Sequence, residues 1–302
     1  MKSITKLYCN RRNLIFRLLR RIQWLLSDSM YVKLSYRLNM GKRLNLNNPK
    51  TYNEKLNWIK LYDHNPLYTT LVDKYAVKEW VAKVIGSQFI IPTIGVWNSF
   101  DEIDFDKMPD SFVLKTTHGG GSVGVVVCKD KKLFDKALAQ NKIERSMRIS
   151  GYDTLREWPY KNVIRRIIAE PYLEDRETGE LTDYKFFCFN GSVKAMFVGT
   201  ERGKGDVKFD FFDENYNHLN LIQLHPMSAH PRPKPRQFEL MKELASRLSA
   251  GIPHVRVDLY ECNGCVYFGE LTFFHHGGVV PFHPESWDYT FGSWLQLPKK
   301  RV

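Results

Sequence analysis

The stretch His254–Gly278, HVRVDLYECNGCVYFGELTFFHHGG, decides which fold the chain can adopt. It contains two runs rich in Val, Leu, Tyr and Phe, joined by Asn263-Gly264, a dipeptide typical of hairpin turns. Each run carries one acid in apolar surroundings, Asp258 and Glu270. Because a buried carboxylate is costly without a cation, two of them on facing strands indicate a site for a hard cation such as Mg²⁺. The alternative is a hairpin whose acids point to water.

The turn decides whether these two acids can share a cation. A two-residue type I′ turn at Asn263-Gly264 would put Asp258 and Glu270 on opposite faces of the hairpin, since side chains alternate with a period of two. In a three-residue loop, Cys262–Gly264, with a bulge, Asp258 would pair with Phe268. Glu270 would then lie on the face of Asp258, one diagonal step away. A shared cation site therefore predicts the three-residue loop.

Composition limits the partners that the chain can have. It has 302 residues, of which 43% are hydrophobic, enough to bury one large core or two small ones. It carries 45 Lys and Arg against 33 Asp and Glu, and this net charge of +12 indicates an anionic partner. No long basic run and no nucleic-acid-binding motif is present, which argues against nucleic acid. No apolar run reaches the roughly 20 residues of a membrane-spanning helix.

The cysteines indicate a reducing compartment. There are five, an odd number, and no secretion signal accompanies them, which favours a cytoplasmic location. Cys262 and Cys265 form a C-x-x-C pattern within the hairpin. Because no second Cys or His pair completes a tetrahedral zinc set, we interpret the two as a turn pair.

The basic segment Arg11–Leu26, RRNLIFRLLRRIQWLL, predicts an amphipathic helix. Its apolar residues recur at helical spacing among arginines, and no small-residue cleavage site follows. Such a helix either lies on the anionic inner face of a membrane, as a peripheral contact, or packs on the main domain. The sequence leaves both interpretations open, and we treat residues 1–43 as a helical N-terminal extension.

A second informative stretch, Ser111–Cys128, reads SFVLKTTHGGGSVGVVVC. A strand ending in Lys115 enters the glycine-rich loop Thr116–Ser122, and a valine-rich strand leaves it. The exposed backbone N–H groups of such a loop suit phosphate oxygens, and the lysine supplies positive charge. The pattern is not a P-loop, because G-x-x-x-x-G-K-[ST] is absent. The alternative is a flexible hairpin tip.

Helical segments precede and follow these strands. Thr51-Tyr-Asn-Glu54 is a capping box that predicts a helix start. Lys74 falls in the first turn of a predicted amphipathic helix that ends at Gly86, where the simplest interpretation is a solvated lysine. A further helix over Gln237–Ala250 leads directly into the opening stretch.

Asp183–Phe189 and Ser192–Val198 predict a hairpin on Asn190-Gly191. Lys185 alternates with two phenylalanines in its first strand and so shares their face. A lysine on an aromatic inner face needs an anionic partner.

The order of these segments resembles the ATP-grasp superfamily. It is most similar to the TupA-like ATP-grasp family, which is associated with teichuronopeptide and other surface-polysaccharide biosynthesis. The resemblance runs from about Asn45 to Leu297 and rests on TYNEKLNWIKLYDHNPL, LVDKYAVKEWV, FVLKTTHGGGSVG, DYKFFCFNG, VRVDLY and YFGELTFF. It implies an α+β fold in which two α+β subdomains hold a nucleotide. We expect an ATP-grasp domain over 44–298, divided into 44–110, a glycine-flap part 111–170 and a metal-binding part 171–298.

The resemblance also implies a set of ATP-binding residues. Two lysines would contact the phosphates, and a glycine flap would cover them. The strand end at Glu170 and Leu173 would meet adenine through backbone and packing, and Glu174 would hold the ribose. In chain order the set is Lys74, Lys115, Gly119, Gly120, Gly121, Ser122, Glu170, Tyr172, Leu173 and Glu174.

By the same resemblance, Lys185 would contact the γ-phosphate and Arg256 the oxygens of an acyl phosphate. Asp258 and Glu270 would bind Mg²⁺. The superfamily often has Glu-x-Asn at the last metal position, whereas this chain has Glu270-Leu-Thr272, in which Thr272 can offer one oxygen. Phosphoryl transfer needs charge neutralisation and alignment, which lysines, arginine and metal supply.

The implied function is an ATP- and Mg²⁺-dependent carboxylate–amine ligase that joins an amino acid or similar amine to a carboxylate of a surface-polysaccharide precursor. One alternative is a glycosyltransferase, since Asp104-Phe105-Asp106 is a D-x-D pattern that can hold Mg²⁺ on a nucleotide sugar. Another is a non-catalytic nucleotide- or glycan-binding protein of the same fold. The retention of Lys115, Lys185, Arg256 and the two acids argues against the latter.

Overall fold

The structure is a computed structural model that describes residues 23–121, 123–149, 151–200 and 207–301. Its helices are α1 (Asp28–Met40), α2 (Tyr52–Tyr62), α3 (Leu67–Val72), α4 (Val77–Ile85), α5 (Lys136–Met147), α6 (Gly151–Leu155), α7 (Phe238–Ser249) and α8 (Ser286–Trp294). Its strands are β1 (Gly95–Trp97), β2 (Phe112–Thr116), β3 (Val125–Cys128), β4 (Ile167–Pro171), β5 (Thr182–Phe189), β6 (Ser192–Thr200), β7 (Lys208–Asp213), β8 (Val255–Cys262) and β9 (Cys265–Thr272).

Two antiparallel sheets carry the strands, which confirms the α+β prediction. The first sheet has the order β1-β4-β2-β3, and the second has the order β7-β6-β5-β8-β9. β4 ends at Pro171 in the first sheet, and β5 begins at Thr182 in the second. The predicted adenine-binding segment thus connects the two sheets.

The second sheet forms the larger core because its central strand, β5, is buried along its whole length. On one face Phe186 packs on Phe238 of α7, with 6.1 Å between ring centroids. Lys185 lies on the opposite face, in register with Asp258 of β8. The predicted β5–β6 hairpin is confirmed, with positive φ values of 46° and 85° at Asn190 and Gly191.

Helix α2 begins at the predicted capping box, in which the side chains of Thr51 and Glu54 each accept a backbone N–H. This cap stabilises the helix start where α2 packs on α8 and on the turn His275–Gly278. The predicted helix around Lys74 is instead broken, because α3 ends at Val72 and α4 starts at Val77. The Asp73 carboxylate accepts hydrogen bonds from the next turn and holds this break open.

The predicted amphipathic helix Arg11–Leu26 lies mostly outside the described residues. The part of the extension that is described packs on the main body through α1, where Tyr31 and Tyr36 are fully buried. Tyr31 Oη donates to the carbonyl of Thr154 at 2.9 Å. Within the described ranges, no helix is both long enough and apolar enough to cross a membrane.

Candidate active site

The hairpin of β8 and β9 has a different turn from the predicted one. Cys262 pairs with Cys265, so the turn is the two-residue Asn263-Gly264 with φ of 52° and 78°, and the prediction of a three-residue loop is wrong. Asp258 nevertheless pairs with Glu270, because the register shifts between Asp258 and Leu259. The one-residue bulge that the site requires therefore exists, but it lies next to the acids and not at the turn.

Gly269 is the extra residue of this bulge, since Leu259 pairs with Phe268 and Asp258 with Glu270. A β-carbon on Gly269 would lie 2.9 Å from the carbonyl oxygen of Asp258 and 3.0 Å from the Tyr260 ring. Only glycine leaves room for the two strands to approach so closely. The bulge brings the next residue, Glu270, onto the face of Asp258.

Arg256 is the centre of the site. Its Nε donates to Asp258 Oδ1 at 2.7 Å and its Nη2 to Asp258 Oδ2 at 2.6 Å, a bidentate pair. The same Nη2 lies 3.5 Å from Glu270 Oε1 and donates to Thr272 Oγ1 at 3.0 Å. All three predicted metal ligands therefore surround one guanidinium nitrogen.

Two lysines complete the charge cluster. Lys185 Nζ donates to the carboxylates of Asp183 and Asp258. Lys74 Nζ lies 3.1 Å from Glu270 Oε2. Three cations thus face three acids, which satisfies the requirement that buried charges be paired.

The neighbouring cations keep Glu270 ionised. Burial alone would raise the pKa of Glu270, but Lys74, Lys185 and Arg256 together hold it well below its ordinary range. An ionised carboxylate can bind a metal ion when that ion displaces the side-chain cations around it. The interpretation of Lys74 as a solvated helix lysine, the simplest one from the sequence, is wrong.

A neutral histidine accepts a hydrogen bond from the Arg256 guanidinium. Arg256 Nη1 lies 2.9 Å from His275 Nδ1, and because arginine can only donate, this nitrogen must accept. His275 Nε2 then donates to Gln223 Oε1 at 2.8 Å, and Gln223 Nε2 donates to the carbonyl of Val280. Burial lowers the pKa of His275 well below its ordinary value, so the ring stays neutral. Sequence reasoning missed His275, although it lies within the opening stretch, and Gln223, which belongs to no quoted motif.

Lys115 and Glu170 form a second ionic group on the first sheet. Lys115 Nζ lies 2.6 Å from Glu170 Oε2, and Lys78 Nζ lies 2.6 Å from Glu170 Oε1. Burial alone would raise the pKa of Glu170, but the two lysines hold it below its ordinary value. Lys78 was not predicted, although it falls within the quoted segment LVDKYAVKEWV. Glu170 thus has a side-chain role that the resemblance did not imply.

The glycine loop lies next to Lys74, whose Nζ donates to the carbonyl of Gly119. A β-carbon at Gly119 would lie 2.4 Å from Thr116 Oγ1, whereas one at Gly120 would meet nothing within 4 Å. Gly121 has φ +60°, a conformation that favours glycine. Ser122 lies outside the described residues. The three described glycines leave their backbone accessible beside a site lysine.

The connection between the sheets holds the remaining predicted residues. Glu174 Oε1 accepts from Tyr172 Oη at 2.9 Å and lies 2.7 Å from Lys129 Nζ. Lys129 Nζ also lies 5.2 Å from the centroid of the Tyr172 ring. Leu173 lies between Tyr172 and Glu174 in the chain and is partly buried. These residues form one local group at the edge of the first sheet.

The D-x-D pattern does not form an open pair of metal ligands. Asp104 caps its own turn by accepting from Asp106 N at 3.1 Å, and it forms an ion pair with Lys107 at 2.9 Å. Phe105 between them is buried in the core of the first sheet. The pattern therefore has a local structural explanation.

The donor chemistry of the β8–β9 face fits Mg²⁺. Asp258, Glu270 and Thr272 offer two carboxylates and a hydroxyl on one face, and Mg²⁺ prefers oxygen ligands. No cluster of three or more His, Cys, Asp or Glu side chains arranged for a metal occurs in the described part of the chain. A Mg²⁺ ion that accompanies a nucleotide takes one or two carboxylates from the protein and the rest of its ligands from phosphate and water.

Comparison with known proteins gives a match over most of the chain. A family model described as TupA-like ATPgrasp matches residues 54–296. A comparison with curated proteins found no match to this chain.

The solved structures that match the chain share little sequence with it. D-alanine–D-alanine ligase from Bacillus anthracis is 16% identical with a TM-score of 0.39, and the match covers 74% of this chain and 60% of that one. D-alanine–D-alanine ligase from Helicobacter pylori is 16% identical with a TM-score of 0.43, covering 81% and 69%. N5-carboxyaminoimidazole synthetase from Staphylococcus aureus, complexed with ADP, is 14% identical with a TM-score of 0.44, covering 91% and 60%. The chain thus spans about 60% of the length of the first and third of these proteins.

Proposed function

Because the chain belongs to the TupA-like ATP-grasp family, we propose that it is an ATP- and Mg²⁺-dependent carboxylate–amine ligase. It joins an amino acid or similar amine to a carboxylate of a surface-polysaccharide precursor through an acyl phosphate. The observation that carries this proposal is the pairing of Asp258 with Glu270 around Arg256. Two carboxylates beside three cations on one face suit a metal–nucleotide complex.

In the proposed reaction, Mg²⁺ replaces the two lysines as the partner of Asp258 and Glu270. In this proposal Asp258, Glu270 and Thr272 hold Mg²⁺, which when bound neutralises phosphate charge and aligns the reacting oxygens. Lys185 and Lys74, which contact the same two acids, then become available to the phosphates. Charged side chains that are already positioned need little reorganisation to stabilise developing negative charge.

The other residues bind the nucleotide and keep out water. Lys115 holds phosphate from the first sheet, and Gly119, Gly120 and Gly121 close over it with their backbone N–H groups. The connection Glu170–Glu174 packs on adenine and ribose. Exclusion of water matters because an acyl phosphate would otherwise hydrolyse.

Arg256 stabilises the acyl-phosphate oxygens in the proposed reaction. Its guanidinium is already oriented by Asp258 and by the neutral His275. A delocalised charge with several fixed donors matches a phosphate or carboxylate group better than a point charge does.

The carboxylate substrate is proposed to be an acidic sugar. The net charge of +12 favours ATP together with an acidic glycan such as a uronic acid. The amine is proposed to be an amino acid. Both assignments rest on charge and on the family, and they are tested by offering candidate substrates in pairs.

The test is a release assay with purified full-length protein, ATP and Mg²⁺. We expect ADP and phosphate to appear only when a uronate, such as glucuronate, galacturonate or UDP-glucuronate, is supplied with an amino acid. Release of UDP from a UDP-sugar without ATP would overturn the ligase in favour of a glycosyltransferase. Nucleotide binding without turnover for any pair would favour a non-catalytic binding protein.

Gly269→Ala tests the bulge that places Glu270. The new β-carbon would collide with the Asp258 carbonyl and the Tyr260 ring, so the strands must shift. We expect a loss of about 1–3 kcal/mol in urea unfolding, together with loss of ADP release. The matched control is Gly264→Ala in the same hairpin, where a β-carbon meets nothing within 4 Å but φ is +78°. It should lose about 1–2 kcal/mol and keep turnover. Wild-type turnover in Gly269→Ala would contradict the role of the bulge.

A further inference from the structure

One acid near the site has no assigned role. Glu157 lies between α6 and the turn Trp158–Asn162, a segment that is held firmly in place. The Trp158 ring stacks on His64 with 4.7 Å between centroids and an interplanar angle of 7°. Arg156 Nε forms an ion pair with Asp28 at 3.1 Å. The position of Glu157 is thus set by contacts on both sides of it in the chain.

The Glu157 carboxylate lies between two glycines. A β-carbon at Gly151 would be 3.2 Å from its Oε2, and one at Gly277 would be 3.6 Å from its Oε1. Gly277 follows His275 by two residues, and His275 bonds to Arg256. The Arg256 charge also acts on this carboxylate, so Glu157 lies near the arginine centre of the proposed active site, and the residue is partly exposed.

The charges that face Glu157 come from the elements packed around it. Lys60 of α2 and Arg256 of β8 act on it as cations, and both lower the pKa of its carboxyl group. Burial outweighs them and raises that pKa to about 7. Tyr160, on the same turn, is subject to the charges of Glu157 and Glu270, and burial together with these charges raises its pKa.

The histidines of the turn beside Gly277 carry no compensating charge, because burial lowers the pKa of both His275 and His276. Lys60 does not use Glu157 as a hydrogen-bond partner. Its Nζ donates to Asn57 Oδ1 at 3.0 Å and to the Gly277 carbonyl at 2.8 Å.

Among the residues that the structure describes, none donates a hydrogen bond to the Glu157 carboxylate or forms an ion pair with it. A partly exposed carboxylate without a direct partner, close to the arginine of the proposed site, is open to a ligand. A ligand that pairs with this carboxylate must be a hydrogen-bond donor.

We propose that Glu157 binds the ammonium group of the amine substrate and accepts its proton before the C–N bond forms. This inference rests on the proposed ligase function. An ammonium group is the natural partner of an unpaired carboxylate, and it must lose a proton because only the neutral amine has the lone pair that attacks.

The amine nitrogen loses two protons in this reaction, and each has an acceptor. Glu157 takes one proton from R–NH₃⁺, which gives R–NH₂ and the carboxylic acid. The nitrogen attacks the acyl carbon, the C–N bond forms, and the C–O bond to the phosphoryl group breaks. The second proton of the nitrogen leaves with phosphate as HPO₄²⁻, and Glu157 returns its proton to water after release.

Glu157→Gln separates this role from a structural one. The variant keeps the volume of the side chain but cannot accept a proton. With ATP, Mg²⁺ and the active uronate, we expect amide formation with an amino acid to fall by about 10²–10⁴-fold. With hydroxylamine, which is largely unprotonated at neutral pH and needs no base, hydroxamate formation should stay within about twofold of wild type. The residual amide rate should rise with pH as the amine loses its own proton.

The matched control is Glu243→Gln, on the exposed face of α7, which should behave as wild type with both nucleophiles. A readout without substrate is the ¹³C NMR titration of glutamate carboxyl groups. The signal that is lost in Glu157→Gln should titrate near 7, and a value near 4.5 would overturn the proposal, since 4.5 is the ordinary pKa of a glutamate.

The outcomes separate failure of the role of Glu157 from failure of the ligase function. Equal loss of amide and hydroxamate formation in Glu157→Gln would mean a structural role and overturn the inference, as would equal retention of both. If wild-type protein forms neither product and releases no ADP with any pair, the proposed ligase function fails, and the role of Glu157 fails with it.

Discussion

Glu270→Gln is expected to lower the turnover number of ATP-dependent amide formation by at least about 10²–10³-fold, the range found when one preorganised electrostatic partner is removed. The glutamine keeps the size of the side chain but removes one of the two proposed carboxylate ligands of Mg²⁺. It also removes a negative charge that lies 3.1 Å from Lys74 and 3.5 Å from Arg256 in the wild-type chain, although Arg256 keeps its pair with Asp258.

The matched control for this substitution is Glu261→Gln. Glu261 lies on the same hairpin, an odd number of residues from Asp258 along β8, so its side chain points to the opposite face. Turnover in that variant should be close to wild type. Near-normal turnover in Glu270→Gln would refute the metal assignment, whatever the result for Glu261.

The low pKa of Glu270 adds a test by pH. Since its cationic neighbours hold that pKa below the ordinary value of 4.5, the folded state binds fewer protons than the unfolded state in acid. The ionised group therefore stabilises the fold above pH 4.5, and this contribution is lost as the pH falls below that value. Urea unfolding should show a stability difference between wild type and Glu270→Gln at pH 7 that shrinks below pH 4. A difference independent of pH would contradict the ion pairing.

Arg256→Lys is the second substitution with a large expected effect. Lysine keeps the charge but cannot form the bidentate pair with Asp258 while also donating to His275 and Thr272. We expect a loss of about 2–3 kcal/mol in urea unfolding, since His275 Nδ1 is left buried without a donor. Turnover should fall by about 10²–10³-fold, because the proposed acyl-phosphate contact loses its orientation.

Arg176→Lys provides the comparison for this variant. Arg176 is exposed in the loop after the connection between the sheets, so exchanging its head group should leave stability and turnover unchanged. If Arg256→Lys unfolds like wild type and turns over normally, a point charge suffices and the guanidinium geometry has no role. Loss of stability with normal turnover would limit Arg256 to a structural function.

The sequence predicted the features of the fold that sit on single segments. The capping box at Thr51, the Asn190-Gly191 hairpin and the helix α7 are all present, because each depends on residues within a few positions of one another. The order of the motifs also predicted the fold, and the family match over residues 54–296 confirms it.

Contacts between distant segments were not predictable in the same way. Lys78 and Lys115 share the carboxylate of Glu170, although they belong to a helix and a strand on different parts of the chain. His275 holds Arg256 from a turn with no regular pattern. Each of these pairings exists because burial forces a charge to find a partner, and sequence spacing does not say which partner is near.

The hairpin separates the two kinds of information most clearly. By itself, the sequence determined that two acids lie on two apolar strands joined by Asn263-Gly264, since residue type and alternation are local properties. The tertiary structure decided that Glu270 shares a face with Asp258, through a bulge at Gly269 and not through a longer turn. The physical reason is that the bulge depends on the approach of Gly269 to the Asp258 carbonyl and the Tyr260 ring, a contact between strands that alternation along one strand does not encode.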